Sequence, residues 1–167
     1  MKNKISMKEK IVAKVERMNQ REEVCRVHRE LCKWFSEEGF EIRSEKKMTP
    51  LDSQSSFVVF MKLDDTFIEK RVIVTGISST IDEEPIEVLE LEELTDVINL
   101  SIVERAFYEC LREEGWTVEF VPIEDEGGEV DYYRLDVEKT FTTPVGKVLV
   151  YIDTKAYKEV KQNRTKT

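Results

Sequence analysis

Two segments of the chain, residues 24–42 and 100–118, carry apolar side chains three or four positions apart. This spacing places the apolar residues on one side of an α-helix, so it predicts two amphipathic helices that each bury a stripe. Gly39 and Gly115 follow the stripes, and glycine readily takes the left-handed conformation that ends many helices. The apolar positions are Val24, Val27, Leu31 and Phe35 in the first helix, and Leu100, Val103, Phe107 and Leu111 in the second.

Each predicted helix is followed by three stretches that have the character of β-strands. Turn residues separate the stretches of the second half at 125–128 and 144–146. No helix intervenes to make a parallel crossover, so we expect consecutive antiparallel hairpins. The chain is therefore predicted to be an α+β protein, with strands at 40–46, 55–63, 67–77, 116–123, 130–141 and 146–153.

The two halves also resemble each other in sequence. Residues 24–42 align with 100–118 without a gap at an offset of 76, and the helix ends match as EEGF and EEGW. The same offset returns in the last strand of each half, where VIVT at 72–75 matches VLVY at 148–151. Self-similarity combined with the same order of elements indicates a duplication. We predict two tandem helix-plus-three-antiparallel-strand repeats that form a pseudo-symmetric sheet with helices packed on one face.

The boundaries of these units follow from composition and periodicity. An amphipathic segment at 6–19 is expected to be a helix that continues into the helix of the first repeat. An acidic segment at 79–99 links the two repeats. It contains enough Leu, Ile and Val to pack as a strand end and a helical turn. The predicted organisation is an N-terminal amphipathic helix in 1–19, a first repeat in 20–78, an acidic linker in 79–99, a second repeat in 100–158 and a basic flexible tail in 159–167.

Charge and cysteine content narrow the class of protein. The formal net charge of −9 makes a general nucleic-acid binder a poor expectation, because binding to phosphates needs clustered Lys and Arg. No apolar run approaches the roughly 20 residues that span a bilayer, and the basic N-terminus has no apolar core behind it to make a secretory signal. Three cysteines, an odd number, do not make a disulfide framework. We expect a reduced, cytoplasmic protein that does not bind membranes.

The second half ends with residues that carry chemistry. Its last predicted strand runs into Asp153-Thr-Lys155, Asp131 begins the strand before it, and Glu104 lies on the helix. Over residues 101–158 this order resembles the restriction-endonuclease-like nucleases, the PD-(D/E)xK superfamily that includes archaeal Holliday junction resolvases. The core of that superfamily begins with a helix and three strands, with its first Asp on the second strand and its acidic-x-Lys motif on the third. Val130 stands here where the family has proline.

The resemblance implies a magnesium-dependent nuclease site. Asp131 and Asp153 would hold Mg²⁺, Lys155 would orient water or stabilise the charge on phosphorus, and Glu104 would face the site from the helix. Mg²⁺ prefers carboxylate oxygens and water, and it can polarise a phosphoryl oxygen. The alternative for the strand end is an ordinary solvated terminus. The spacing of Ser101 and Glu104 is that of a capping box, which accounts for Glu104 without catalysis.

A second candidate site lies on the first predicted helix. Cys25, His28 and Cys32 recur at i, i+3 and i+7, so a helix brings them to one side. Cysteine and histidine are zinc ligands, but a structural zinc takes four, and Cys110 could be the fourth only if the two repeat helices pack together. The alternative is that both cysteines are small buried residues on the core-facing stripe. His28 is the only histidine, which disfavours a histidine-dependent catalytic triad.

The sequence therefore supports two classes of function. The first is a non-catalytic protein-binding or assembly module built from a duplicated αβββ unit, which binds a protein partner or another copy through a sheet edge or the N-terminal helix. This class needs no cofactor. The alternative is a Mg²⁺-dependent nuclease with its site in the second repeat, and only this alternative predicts nucleic acid as a partner.

Overall fold

The computed structural model describes residues 6–49, 53–77, 88–94 and 100–157. Three helices are described: α1 (Met7–Glu37), α2 (Leu91–Leu94) and α3 (Ile102–Glu113). The described strands are β1 (Glu41–Lys46), β2 (Gln54–Leu63), β3 (Thr66–Ile77), β4 (Leu89–Glu90), β5 (Thr117–Glu124), β6 (Val130–Thr143), β7 (Gly146–Ile152) and β8 (Ala156–Tyr157).

The eight described strands form one antiparallel sheet. Its order is β1-β2-β3-β7-β6-β5-β4, and β8 pairs with β6 beyond the end of β7. The two halves of the chain meet at the centre, where β3 and β7 pair with Val74 opposite Val150. The last long strands of the two halves, β3 and β7, therefore lie inside the sheet and leave no edge for a partner. β3 and β7 each satisfy their backbone groups against the other, and β1 and β4 lie at the edges.

Both long helices pack on the same face of this sheet. Ser55 and Val59 are four residues apart on β2, so their side chains point to one face. The Ser55 hydroxyl contacts His28 of α1, and Lys70, which lies opposite Val59 on β3, pairs with Glu104 of α3. The buried core between helices and sheet contains residues from both halves, including Phe35, Phe57, Tyr108, Phe120 and Val150. The predicted α+β class is confirmed.

The helix ends follow their local sequence signals. The Ser6 hydroxyl caps α1 by accepting a hydrogen bond from the Glu9 backbone N–H at 3.2 Å, and α1 continues through the expected junction without a break. Ser101 caps α3 in the same way, with 3.1 Å between its Oγ and the Glu104 backbone N. Both helices stop before a glycine with positive φ, 97° at Gly39 and 93° at Gly115. The predicted cap at Ser101 and the predicted helix ends at Gly39 and Gly115 are confirmed.

The strand register does not keep the offset of 76 between the halves. When Glu41 of β1 is matched with Thr117 of β5, the strand pairings give the matching residues on the next two strands. The matched residues are 76 positions apart in the first strand of each half, 78 in the second and 82 in the third. The hairpin of the second half is therefore longer, and the residues 72–75 and 148–151 are not ladder equivalents. The duplication stays a prediction. The positions compared are Glu41, Phe60 and Glu69, which lie on adjacent strands, and Thr117, Glu138 and Tyr151.

The linker and the tail are described only in part. Within the predicted linker, β4 and α2 are the expected strand end and helical turn, and the side chain of Leu91 is fully buried. Residues 78–87 and 95–99 lie outside the described part of the chain, as do the tail residues from 158 onward. The predicted flexible tail is therefore not addressed by the structure.

Candidate functional site

The two aspartates of the predicted nuclease site lie far apart along β6. Beyond the end of β7, the Thr154 hydroxyl donates a 2.6 Å hydrogen bond to the Leu135 carbonyl, so this segment still lies beside β6. Continuing the β6–β7 register places Asp153 next to Asp136. Asp131 is five residues from Asp136 along the same strand, which is about 16 Å at 3.3 Å per residue.

The side chains of Asp131 and Asp153 are both exposed. Val150 and Ile152 point toward the helices, so alternation directs position 153 to the other face. Asp131 lies at a register shift between β5 and β6, where the regular alternation of side chains is interrupted. Two carboxylate oxygens on one Mg²⁺ must lie within about 4 Å of each other. The structure does not bring these two side chains together on one ion, and nucleic-acid cleavage stays an untested prediction.

Glu104 lies in a different environment, between α3 and the sheet, and the exposed Lys155 lies near it. Glu104 Oε2 accepts hydrogen bonds from Lys70 Nζ at 3.1 Å and from the Tyr157 hydroxyl at 3.3 Å. Lys155 Nζ lies 5.7 Å from the centre of the Tyr157 ring. Burial by itself would raise the pKa of Glu104, but the Lys70 ammonium, helped by the charge of Lys155, outweighs it and holds the pKa below its usual value. Glu104 is therefore ionised and paired.

Two tyrosines complete this cluster. Burial raises the pKa of Tyr108 well above its usual value, and the nearby Glu104 carboxylate adds to the effect. Burial and the neighbouring Tyr108 raise the pKa of Tyr157 in the same way. Both phenols are therefore neutral near pH 7, and Tyr157 is a hydrogen-bond donor. The arrangement joins α3 to β3 and β8 through a partly buried ion pair, which is the pattern of a structural contact.

Sequence reasoning missed Lys70, although the strand pattern carried a signal. Lys70 stands between Ile68 and Val72 on the inward-facing side of β3. A charge at an inward position needs a partner of opposite sign, because an unpaired buried charge is very costly. The strand alone could predict that such a partner exists. It could not name Glu104, which is 34 residues away in sequence.

Two residues of the cysteine and histidine motif, His28 and Cys32, form a cluster with Glu45, which the sequence did not predict. His28 is only 3% exposed, and its ring nitrogens contact Ser55 Oγ at 2.7 Å and Glu45 Oε1 at 2.9 Å. Among the described residues, the potential metal ligands whose atoms all lie within 4.8 Å of one another are those of His28, Cys32 and Glu45. Cys25 lines the adjoining pocket of about 190 Å³ without joining this group. The structure thus places Glu45 where the sequence predicted Cys25.

A β-bulge brings Glu45 to the helix face. Ile42 of β1 packs toward the core, so regular alternation would point Glu45 away from the helices. The β1–β2 register shifts between Arg43 and Lys46, and Ser44 has a φ of 47°, which is unusual for a residue other than glycine. The additional residue in β1 reverses the alternation, so the carboxylate of Glu45 reaches His28.

The order Ser55–His28–Glu45 has the contacts of a hydrolase triad but not its accessibility. In a triad the serine oxygen attacks a bound substrate, so it must face the substrate site. Ser55 is 2% exposed and lies within β2, under the helix. The geometry therefore does not support a serine nucleophile. Burial, assisted by the charge of Glu45, raises the pKa of the Cys32 thiol to about 12, so this thiol is also not a ready nucleophile in the free protein.

An apolar opening lies between the end of α1, the β2–β3 hairpin and α3. We call it the apolar groove, and its volume is about 470 Å³. It adjoins a second opening of about 580 Å³ that shares Ile68, Ile102, Val103 and Phe107 with it. Ile102 is 87% exposed at the first turn of α3. Acidic residues stand at the other end of the groove, namely Glu38, Glu113 and Glu114.

The first half of α1 carries a second apolar surface. Met7, Ile11, Val15 and Met18, which we call the apolar stripe, are between 47% and 71% exposed. At 100° per residue, these side chains lie about 100° to 180° around the helix from Val24, which faces the core. Lys10, Lys14 and Arg17 run beside the apolar stripe at i, i+4 and i+7, and we call them the basic stripe.

Comparisons with known proteins add no relatives. No family model matches the chain, and neither a curated protein nor a solved structure matches it significantly. Within the described residues, no helix combines the length and the apolar character needed to cross a membrane. The function must therefore be argued from the surfaces of the molecule.

Proposed function

We propose that the protein is a non-catalytic assembly module, built from a duplicated αβββ unit, that pairs with a second copy of itself. The first half of α1 from each copy would occupy the apolar groove of the other. The observation that carries this proposal is the apolar stripe, which lies on the side of α1 turned away from its own core. An exposed, continuous apolar surface of this kind is typical of an interaction site.

The groove and the apolar stripe are both apolar. A helix that binds in a groove presents apolar residues three and four positions apart, as the apolar stripe does. The groove offers apolar side chains on both walls, among them Trp34, Phe40 and Val103. Ile102 and Leu63 remain substantially exposed there, so an incoming helix would remove apolar surface on both partners from water.

The charges of the two surfaces are complementary. The basic stripe carries three positive charges, whereas the groove is bordered by three glutamates. The chain as a whole has a net charge of −9, so two copies repel each other unless basic surfaces meet acidic ones. Pairing of the basic stripe with Glu38, Glu113 and Glu114 provides this contact. Each copy has one helix and one groove, so two copies related by a twofold axis can form both contacts at once.

The sheet edge is the weaker of the two surfaces that the sequence offered. β1 is only six residues long, it carries the bulge at Ser44, and it presents charged residues such as Arg43 and Lys46. Bulges, short length and charges are the features by which natural proteins prevent pairing at an edge. β4 has only two residues. The helix and groove are therefore the better-supported assembly surfaces.

Light scattering and sedimentation of the full chain test this proposal. The double substitution Ile11→Asp/Val15→Asp places two carboxylates in the apolar stripe. Each contact occurs twice in the dimer, so a loss of about 1.5 kcal/mol per helix weakens the dimer at least a hundredfold. The control is Ala13→Asp, which adds the same carboxylate to the same helix, about 160° around the axis from Val15. This control should remain dimeric.

A mixing experiment separates a second copy from other occupants. Ala106→Arg adds a bulky cation to the exposed wall of the groove, where it repels the basic stripe. Neither this variant nor the stripe variant should form a homodimer. Mixed together, they retain one intact helix and one intact groove, so a weaker heterodimer should form. A wild-type chain that stays monomeric at every concentration, or a stripe variant that dimerises normally, would show that the occupant is not a second copy.

A further inference from the structure

The cluster of His28, Cys32 and Glu45 makes a contact between α1 and β1 that the assembly proposal does not use. The three ligand atoms converge from a buried helix face and a bulged edge strand, and all lie within 4.8 Å of one another. Imidazole nitrogen, thiolate sulfur and carboxylate oxygen are the protein ligands of zinc. We propose that His28, Cys32 and Glu45 bind a single divalent transition-metal ion of the zinc type.

The spacing of the ligands suits such an ion. His28 and Cys32 are four residues apart on α1, so they lie one helical turn apart on the same face. Zinc binds nitrogen and oxygen at about 2.0–2.1 Å and sulfur at about 2.3 Å, so the tetrahedral ligands of a site with one sulfur lie about 3.3 to 3.6 Å from one another. The Nε2 of His28 and the Oε1 of Glu45 are 2.9 Å apart, so a small separation of the two would admit the ion.

The other ring nitrogen of His28, Nδ1, contacts a serine hydroxyl. Its Nδ1 lies 2.7 Å from the Ser55 hydroxyl, which can accept a hydrogen bond from an Nδ1–H group. A proton held on Nδ1 leaves the Nε2 lone pair directed at the metal position. Metal-bound histidines generally have such a partner on the other nitrogen, which holds the ring in its tautomer and orientation. Ser55 is a buried residue of β2, so its position is set by the sheet.

The backbone of β1 supports the same assignment. A positive φ at Ser44 is an uncommon conformation for a residue with a Cβ atom, and it is the feature that directs Glu45 inward. Glu45 is 38% exposed, so solvent and metal can reach the cluster from the side of β1. One thiolate and one carboxylate would neutralise a dication, and a water molecule can occupy the fourth position.

The test is titration of the purified full chain with Co²⁺, followed by competition with Zn²⁺. A cobalt–thiolate bond gives a charge-transfer absorption that Cys32 alone should provide, saturating at one equivalent of metal. Cys32→Ser should remove this absorption. Glu45→Gln should weaken binding at least about tenfold, and Ser55→Ala should weaken it by about tenfold as the loss of an outer-shell partner.

Matched controls are available in the other two cysteines. Cys25→Ser and Cys110→Ser should leave the absorption and the affinity unchanged, since neither sulfur belongs to the cluster. Zinc should also raise the Tm of the wild type and of both controls, but not that of Cys32→Ser. Circular dichroism checks that each variant folds, and Glu45→Gln, on an edge strand, keeps the test decisive if Cys32→Ser does not fold.

Two results would overturn the assignment. The first is the absence of a saturable cobalt–thiolate absorption in the wild type. The second is an absorption that Cys25→Ser removes and Glu45→Gln leaves intact, which would transfer the site to the two cysteines of the helix. Neither result bears on dimer formation, because the apolar stripe and the groove lie elsewhere on the molecule.

Discussion

The ion pair between Lys70 and Glu104 gives the most informative prediction about stability. The two side chains are 17% and 21% exposed, so the pair is neither a surface contact nor a fully buried one. Exposed pairs contribute about 0.2–1 kcal/mol, whereas breaking a buried pair costs about 3–5 kcal/mol. We expect an interaction energy of about 1–2 kcal/mol at pH 7, measured by a double-mutant cycle with Lys70→Met and Glu104→Gln.

The pH dependence follows from the pKa of Glu104, which is lower in the folded protein than its usual value of 4.5. A carboxyl group with a lowered folded pKa binds fewer protons in the folded state than in the unfolded state. Its contribution to stability is therefore complete above about pH 5 and is lost as the pH falls through the folded pKa. The interaction energy from the cycle should accordingly be larger at pH 7 than at pH 3.

Urea denaturation of the wild type, both single variants and the double variant at each pH provides this measurement. The cycle removes the general effect of replacing each charged side chain by a neutral one, because that effect occurs in both arms. A loss of about 1.5 kcal/mol lowers the Tm of a protein of this size by roughly 3–6 °C. An interaction energy below about 0.3 kcal/mol, or one that is equal at pH 7 and pH 3, would refute the assigned role of the pair.

Three further predictions concern other parts of the molecule. Gly39→Ala should lower the free energy of unfolding by about 1–2 kcal/mol in urea denaturation, because its φ of 97° disfavours a Cβ atom, whereas Gly127→Ala should change it little. Mg²⁺ should leave the Tm unchanged, because Asp131 and Asp153 of the nuclease resemblance do not converge. A saturable rise in Tm that Asp153→Asn removes would contradict the separation of these two aspartates. Mass spectrometry after brief alkylation at pH 8 should find exposed Cys110 modified well before Cys32, whose pKa is about 12, and equal rates would contradict the burial of Cys32.

The two halves of α1 carry their apolar side chains on different sides of the helix. Its second half buries Val24, Leu31 and Phe35 against the sheet, whereas its first half exposes apolar residues on nearly the opposite side. The exposed side of the first half is the surface that we propose pairs with a second copy of the chain.

Local sequence determined most of the secondary structure. The 3.6-residue spacing of apolar side chains located α1 and α3, and Ser101 and Gly115 marked where α3 begins and ends, because caps and left-handed stops depend only on neighbouring residues. The strands lie within two residues of their predicted bounds at each end, since alternation and turn residues are also local signals.

The tertiary structure alone decided which residues meet. The bulge at Ser44 reversed the alternation of β1. As a result Glu45, and not Cys25, lies in the cluster with His28 and Cys32. The register of β6 and β7 separated Asp131 from Asp153, although both carboxylates fit the residue types of a magnesium site. Lys70 pairs with Glu104, which lies on a helix 34 residues later in the sequence. These contacts depend on strand register and helix position, which are set by burial over the whole core, and no short segment of sequence contains that information.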